Sequence, residues 1–496
     1  MTIARTGTGT RATETRSTVN APANEGTLVD VAILGGGPGG YVAAVRAAQL
    51  GMSVTVIEKE DLGGTCLVWG CIPTKALHHT AEVLRTVRTA AEVGVMLDGG
   101  TPTLDWSRVM AHKDAVVRGL VSGVEGLMKG NNITIARGTG QLVTGASPHR
   151  IVVTDPDGGT TEVTARHVVL ATGSRPIIPP IPGVDLPGVV TSNGLLTLER
   201  QPKSLAVIGG GVIGMEFATI FAALGTQVSV IEKLPNILTG IEPELVRRAL
   251  PLFKRLGVSV TTDASVTAIA WGDDDDLSVQ YETAKGTQYV SAEAVLVAVS
   301  RTPNTQGVWG QDVPLALNGR AVAVDAEFHT NIDGVYAIGD LVLLPQLAHT
   351  AMTQGEVLME QLAGRDAHYD HAVIPNCVFT LPEIAGVGLT EEQARERHGD
   401  GVRTASFPFA AIGRAQILGE TQGMVKLIAG ADGTLLGAHI LGPRASDLIA
   451  ELALALHMGA TATDLAHTIH AHPTLPEAVH EAALALVNGK PVHALR

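Results

Sequence analysis

Cysteine and positive charge are what this chain of 496 residues has least of. It holds 49 acidic against 35 basic residues, a formal net charge of −14. A surface without basic excess does not attract phosphate backbones or anionic lipid, so nucleic acid and membrane surfaces are excluded as partners. No run of about 18 uninterrupted apolar residues is present, so no membrane span is expected. With only three cysteines, a four-thiolate zinc or iron–sulfur site cannot be assembled, and no metal is expected. So few thiols suit a reducing compartment, and the cytoplasm is the expected location. The first 26 residues lack the apolar stretch of a secretory signal. Glu14 and Glu25 among Arg5, Arg11 and Arg16 argue against a transit peptide, so residues 1–26 read as a disordered tail. The length suffices for roughly three domains of about 150 residues.

Two of the three cysteines stand together in Gly63-Gly64-Thr65-Cys66-Leu67-Val68-Trp69-Gly70-Cys71-Ile72-Pro73-Thr74-Lys75, which reads as a glycine loop running into a helix. Residues four or five apart come close enough for a strained disulfide where the first turn is irregular, and Gly70 permits that irregularity. A strained, accessible pair is redox-active rather than a staple. Two buried, inert thiols are the alternative, and the third cysteine, Cys377, stands far off in the chain.

Leu28–Leu34 is a short apolar run ending in Gly35-Gly36-Gly37-Pro38-Gly39-Gly40. Tyr41–Leu50 has helical composition, and Ser53–Ile57 then delivers Glu58. This succession is the dinucleotide fingerprint. Gly35 makes the tight turn, Gly37 admits a pyrophosphate, Gly40 allows close helix packing and Glu58 accepts ribose hydroxyls. A second copy begins about 175 residues later, in Ser204–Ile208, Gly209-Gly210-Gly211-Val212-Ile213-Gly214-Met215-Glu216 and a strand Gln227–Ile231 ending in Glu232. Both copies keep every glycine and the acid, so two occupied sites are expected. Glu232 would accept from the 2′-hydroxyl of NAD and repel the 2′-phosphate of NADP.

Between the fingerprints lie helical stretches at His78–Val93 and Trp106–Lys129, a strand near Gly138-Thr139-Gly140 and a hairpin about Asp155–Gly159. His167-Val-Val-Leu-Ala-Thr172-Gly173-Ser174-Arg175-Pro176 is a strand ending in a small-residue turn, and the prolines that follow make a stiff linker. Further on come Val295–Asn304, then a strand Asn331–Gly339 with Asp340 at its end, then Gln346-Leu347-Ala348-His349 opening a helix to Leu362. The last hundred-odd residues alternate short strands and helices without a glycine fingerprint, which marks an interface domain. They end in His472-Pro473-Thr474-Leu475-Pro476-Glu477. An imidazole titrates near neutrality and serves as a proton acceptor for thiols, while a carboxylate on its other nitrogen fixes the tautomer. His470 reads as structural.

These motifs, in this order over roughly residues 28 to 490, resemble the flavoprotein disulfide reductases, the class I pyridine nucleotide-disulfide oxidoreductases. Gly-Cys-Ile-Pro-Thr-Lys is most similar to their dihydrolipoyl dehydrogenase branch. The resemblance implies an α/β architecture of two Rossmann-like dinucleotide-binding domains, the NAD domain inserted into the FAD domain, plus a C-terminal α+β dimerisation domain. Its expected boundaries are 27–176 and 308–371 for FAD, 177–307 for NAD and 372–496 for the interface. It implies FAD-dependent oxidation of a protein-bound dihydrolipoyl group to lipoamide through a Cys66–Cys71 disulfide, with NAD reduced. Cys66 is then the interchange thiol, Cys71 faces the flavin, and His472 with Glu477 serves the other subunit of a homodimer. The expected FAD contacts are Gly35, Gly37, Gly40, Glu58, Lys59, Gly64, Thr65, Lys75, Gly140, Thr172, Gly173, Ser174, Asp340 and Gln346 to His349. Those expected for NAD are Gly209, Gly211, Gly214, Glu216, Glu232 and Ser300. Lys75 is expected to pair with Glu216.

The sequence departs from the family at Val68-Trp69, where an Asn usually follows Cys-Leu, and at Ser300, which replaces a Gly. Glutathione-type reductases are opposed by Glu232 and Thr74, mercuric reductases by the lack of a C-terminal cysteine pair, and soluble transhydrogenases by Cys71. Another disulfide or quinone reductase of the family, or a noncatalytic complex subunit, remains as the alternative. A lipoyl-bearing acyltransferase or carrier protein of a 2-oxo acid dehydrogenase complex is the implied partner, since no lipoyl domain is visible in the tail.

Overall fold

The computed structural model describes residues 28–96, 100, 102–272, 276–343 and 345–493. The tail expected at 1–26 lies outside the described residues.

Leu28–Leu34 is apolar on both faces, the mark of a strand covered from both sides, and Val31 to Leu34 are at most 1% exposed. It runs parallel to Val54–Glu58 on one side and Thr160–Leu170 on the other, in a seven-stranded sheet. Thr134–Arg137 extends the parallel part, while Thr139–Leu142 and His149–Thr154 add an antiparallel hairpin edge. The last strand, Val335–Ala337, joins this sheet beside Thr160–Leu170. The chain therefore leaves the first domain and comes back to it. Asp340 sits just past that short strand, in a helical turn over Gly339–Leu341.

The inserted unit repeats the pattern. Val258–Thr261, Gln227–Ile231, Ser204–Ile208, Ala294–Val297 and Val189–Thr191 form an all-parallel five-stranded sheet in that order. A three-stranded antiparallel sheet over Ser265–Ala292 flanks it. The exit segments Ser174–Pro176 and Arg301–Pro303 pair antiparallel where the two domains meet. The C-terminal unit is a five-stranded antiparallel sheet with Asn376–Val378 as one of its two outer strands, backed by Ala445–His457 and Glu477–Asn488.

One core crosses all three units. Leu77, Ala81 and Leu84 of the helix Cys71–Thr89 pack with Phe217 and Phe221 of Val212–Leu224 and with Val378, Leu381 and Ile384 of the C-terminal unit. A second joint is ionic. Lys426, 4% exposed, contacts the carboxylates of Glu242 and Glu244 from the inserted unit and Glu391 from its own. Burial alone would lower this lysine, and the three carboxylates reverse the shift and raise it.

Candidate redox and dinucleotide sites

The cysteine pair owes its geometry to three glycines. Gly63 and Gly64 have φ of 99° and 54°, a region that favours glycine. Thr65–Trp69 then form a single π turn, and Gly70 resets the chain at φ −146°, ψ −107° before the helix Cys71–Thr89 begins. A Cβ on Gly70 would lie 2.9 Å from the Thr65 carbonyl oxygen, so the irregular first turn requires a glycine there. Pro73 is tolerated because the first turn's N–H groups have no helical partner.

Both thiols are free, half-buried and hydrogen-bonded to each other. Cys71 opens the helix, where the positive end of the dipole favours a thiolate. The Cys66 bond lowers Cys71 to about 7, with burial opposing and the Lys75 ammonium assisting. Cys66 moves the other way, pushed far above the usual thiol range by the same bond and by burial. Cys71 is thus the more acidic sulfur of the pair, and Cys66 the one that keeps its proton. Lys75 is also where the sequence expects a carboxylate partner. Its Nζ lies 3.0 and 2.8 Å from the two oxygens of Glu216.

The two glycine turns are near copies. Gly35 and Gly209 adopt φ of 108° and 109°. A methyl on Gly40 would meet the Gly35 carbonyl oxygen at 1.8 Å, and one on Gly214 the Gly209 oxygen at 2.0 Å. Each acid braces its own turn. Gly36 N–H donates to Glu58 Oε2 at 2.7 Å and Glu60 N–H to Oε1 at 2.8 Å, while Glu232 accepts from Gly210 and Leu234 at 2.6 and 2.7 Å. That bracing is a role the sequence reading missed.

The second turn opens onto a cleft of about 760 Å³ walled by Gly209, Gly211, Glu232, Val266 and Ser300, among others. A Cβ on Gly211 would meet nothing within 4 Å. An open glycine turn at a helix N-terminus, faced by a carboxylate, fits a dinucleotide. Glu216, expected with this set, is not among the walls. It is 5% exposed on the helix behind the turn, bonded to Lys75 and to the Phe379 N–H.

Around the first turn the expected residues converge in part. Ser174 Oγ donates to Asp340 Oδ2 at 2.5 Å, and Thr172 Oγ1 donates to the Asn304 carbonyl at 2.8 Å, so both tie the first domain to the return segments. Gly173 accepts from Asn304 N–H at 2.9 Å. Gly37 and Gly64 approach one another, 3.9 Å separating a Cβ on the first from the second's Cα. Gly140 lies in a strand against Ile57. Leu347 precedes the helix Ala348–Leu362, His349 Nε2 lies 2.8 Å from the Pro375 carbonyl, and Gln346 lines a cavity of about 350 Å³ with Arg301. Lys59 is exposed and, among the described residues, pairs with Glu60. A helix N-terminus, two small-residue turns and a carboxylate just past the return strand suit a second dinucleotide.

Arg301 was missed. At the start of the exit segment Arg301–Pro303, its Nε donates to Ser174 Oγ and its Nη2 to the Ser174 carbonyl, both at 2.7 Å, with Thr65 Oγ1 at 3.5 Å and Asp340 at 4.0 Å. Burial pulls the guanidinium below its usual value, and the Asp340 carboxylate opposes this. A cation after an apolar strand was the available signal, since a buried arginine must find partners.

At the far end, His472 Nδ1 lies 2.9 Å from Glu477 Oε1, and Thr474 N–H donates to Oε2 at 2.9 Å. Partial burial would raise the Glu477 carboxyl, yet these bonds hold it below the usual carboxylate range. The His472 side chain is 77% exposed. Among the described residues of one protomer its hydrogen-bond partner is Glu477, and its outer edge faces away from the chain. His470 differs. Its side chain is 6% exposed, its Nε2 bonds Glu451 at 2.8 Å, and that bond raises it above the ordinary histidine value.

Comparison with known proteins places this arrangement. Residues 29–355 match the pyridine nucleotide-disulphide oxidoreductase model and residues 374–483 its dimerisation domain. Over 464 residues the chain is 42% identical to a dihydrolipoyl dehydrogenase of Geobacillus stearothermophilus, covering 93% of this chain and 96% of that one. A mitochondrial dihydrolipoyl dehydrogenase of Pisum sativum is 40% identical over 94% of this chain and 92% of its own. Among solved structures, the Cu(II) complex of the HOCl-induced flavoprotein disulfide reductase RclA from Escherichia coli superposes with a TM-score of 0.82. It is 29% identical, over 92% of this chain and 99% of that one. With models matched across nearly its whole length, the chain belongs to the pyridine nucleotide-disulphide oxidoreductase family.

Proposed function

We propose that this protein is an FAD-dependent dihydrolipoyl dehydrogenase, oxidising dihydrolipoamide to lipoamide and reducing NAD to NADH with release of one proton. The observation that carries the reading is the Cys66–Cys71 pair, two hydrogen-bonded thiols with Cys71 opening a helix beside Lys75 and shifted down toward the thiolate. A substrate thiolate attacks Cys66 of the oxidised pair. The Cys66–Cys71 bond breaks, a mixed disulfide forms on Cys66, and Cys71 leaves as a thiolate held by Lys75. His472 of the partner subunit takes the proton of the second substrate thiol, whose sulfur closes the lipoyl disulfide and releases Cys66. Glu477 keeps that imidazole's Nδ1 engaged, leaving Nε2 to act.

FAD, when bound, relays the two electrons to NAD as hydride. Gly35, Gly37, Gly40, Glu58, Gly64, Thr65, Thr172 to Ser174, Asp340 and the turn Gln346 to His349 would hold it, with Lys59 and Gly140 at its outer edge. Gly209, Gly211, Glu232 and Ser300 would hold NAD, with Gly214 supporting the turn. Glu216 belongs on this reading with Lys75. We place the domain boundaries at 27–176 with 308–371 for FAD, 177–307 for NAD and 372–496 for the interface.

The chain carries a dimerisation domain, and the working form on this reading is a homodimer. A lipoyl-bearing acyltransferase or carrier of a 2-oxo acid dehydrogenase complex supplies the substrate, in the cytoplasm. Among the described residues no helix is long and apolar enough to cross a membrane. The test is anaerobic addition of dihydrolipoamide to the yellow protein, which should raise a long-wavelength thiolate-to-flavin band and, with NAD, form NADH. Cys71→Ser should keep FAD and lose both. If the unsubstituted protein gives neither signal, the noncatalytic reading takes over.

A further inference from the structure

We infer that Phe379, on the interface unit, is a positioning residue for the redox pair, its ring and its backbone N–H together fixing the Lys75 ammonium beside Cys71. This rests on the disulfide reading above. A lysine one turn along from Cys71 has a long, rotatable stem and a compact charge that water solvates well, so helical spacing alone does not hold it against the sulfur. Here it is held from two sides. Glu216 takes two bonds from Nζ, and the Phe379 ring covers another side with its centroid 4.4 Å from Nζ, a cation–π contact.

The anchor is itself anchored by the same residue. Phe379 N–H donates to Glu216 Oε1 at 2.8 Å, and the Glu216 side chain is 7% exposed. The ring cannot swing away, because His78 packs edge-on against it at 6.1 Å and its neighbours Val378 and Leu381 are locked in the shared core. The interface unit thus reaches the redox helix by a ring and an amide, and dimer-domain docking and thiolate reactivity become linked. The charges facing Cys71 are Lys75 on its own helix, Glu216 from the inserted unit and Arg301 from the exit strand, while Asp340 faces Cys66. Cys377, on the strand before Phe379, is pushed up to about 11 by burial and stays neutral.

The test is a pH titration of the long-wavelength thiolate-to-flavin band in the two-electron-reduced holoenzyme. Phe379→Met conserves volume without a ring, and the band's midpoint should move up by about 0.5 pH unit, the size of a modest cation–π contact. Phe379→Tyr, which keeps the ring, should titrate with the parent. Pentafluorophenylalanine placed at position 379 keeps the shape and reverses the ring's quadrupole, and should move the midpoint as methionine does. In a Lys75→Met background, Phe379→Met should add no further shift. Midpoints for the methionine and pentafluorophenylalanine proteins equal to the parent's would overturn the inference. Should the methionine protein fail to hold FAD, the fluorinated one decides alone. A parent protein without any band sinks the disulfide reading, an outcome distinct from a band that ignores position 379.

Discussion

The two glycine turns share φ angles to within a degree, and close approaches and acid-to-turn bonds to within 0.2 Å, yet their surroundings differ. Past Glu232 the chain also returns to its turn, Leu238 N–H donating to the Gly210 carbonyl at 2.8 Å, but among the described residues nothing comes within 4 Å of a Cβ on Gly211, and the cleft there stays open. Past Glu58 the matching bond runs from Gly63 N–H to the Gly36 carbonyl at 2.8 Å, and here the next residue, Gly64, closes on Gly37 and leads at once into the cysteine pair. One local device therefore serves two ends. A turn left open at Gly211 admits an exchangeable dinucleotide, and a turn roofed at Gly37 by the redox segment suits a resident one.

The comparison breaks most visibly at the glycines that touch the turns. Gly40→Ala and Gly214→Ala each force a methyl onto a carbonyl oxygen, an overpacking cost of about 1–3 kcal/mol. The Gly40→Ala protein should purify without the yellow chromophore. Gly214→Ala should stay yellow and be reduced by dihydrolipoamide, while NADH formation drops at least about tenfold, roughly 1.4 kcal/mol. If both substitutions strip the flavin, the turns are not independent. Next in size, Glu232→Arg removes a ribose acceptor and the Gly210 brace together. It should lower kcat/KM for NAD by about 10- to 100-fold and let NADP react, roughly 1.4–2.8 kcal/mol of transition-state binding. Flavin reduction by dihydrolipoamide, followed by absorbance, should not change.

A smaller separation comes from pH. Cys71 is lowered to about 7, by the Cys66 bond first and then by Lys75, so the thiolate persists above that value and is lost as pH falls through it. The long-wavelength band should halve near pH 7 on acidification, while NAD affinity of the oxidised protein, measured by fluorescence, stays level. The mildest change is Ser300→Gly, which clears a hydroxymethyl from the cleft wall and should lower KM for NAD about twofold to threefold, on the order of half a kcal/mol. An unchanged KM would place Ser300 clear of the nicotinamide.

Local chemistry was readable wherever a motif is contiguous. The glycine turns, the irregular stretch permitted by Gly70 and the His472–Glu477 contact all lie within about twenty residues of sequence, and backbone sterics leave them few shapes. Glu216 was half-readable. On a helix buried from Gly214 to Leu224, a lone acid must find a cation, but its neighbours in the chain point to the NAD site and its partner lies 141 residues away. Arg301 and Phe379 carried still less signal, because an arginine after a strand and a phenylalanine in a loop read as surface and core. Lys426 among Glu242, Glu244 and Glu391 could not be foreseen, since helical and strand periodicity say nothing about which distant charges meet.

By itself, then, the amino-acid order determined where nucleotide turns form, which cysteines pair and which imidazole has a carboxylate, since each depends on spacing along a few turns of backbone. Only tertiary packing decided which turn stays open, how Arg301 comes to span Ser174 and Asp340, and that a ring from the C-terminal unit sits over Lys75. Those contacts close loops of about forty to three hundred residues, and it is burial of a common core, not local preference, that compensates for the entropy of closing them.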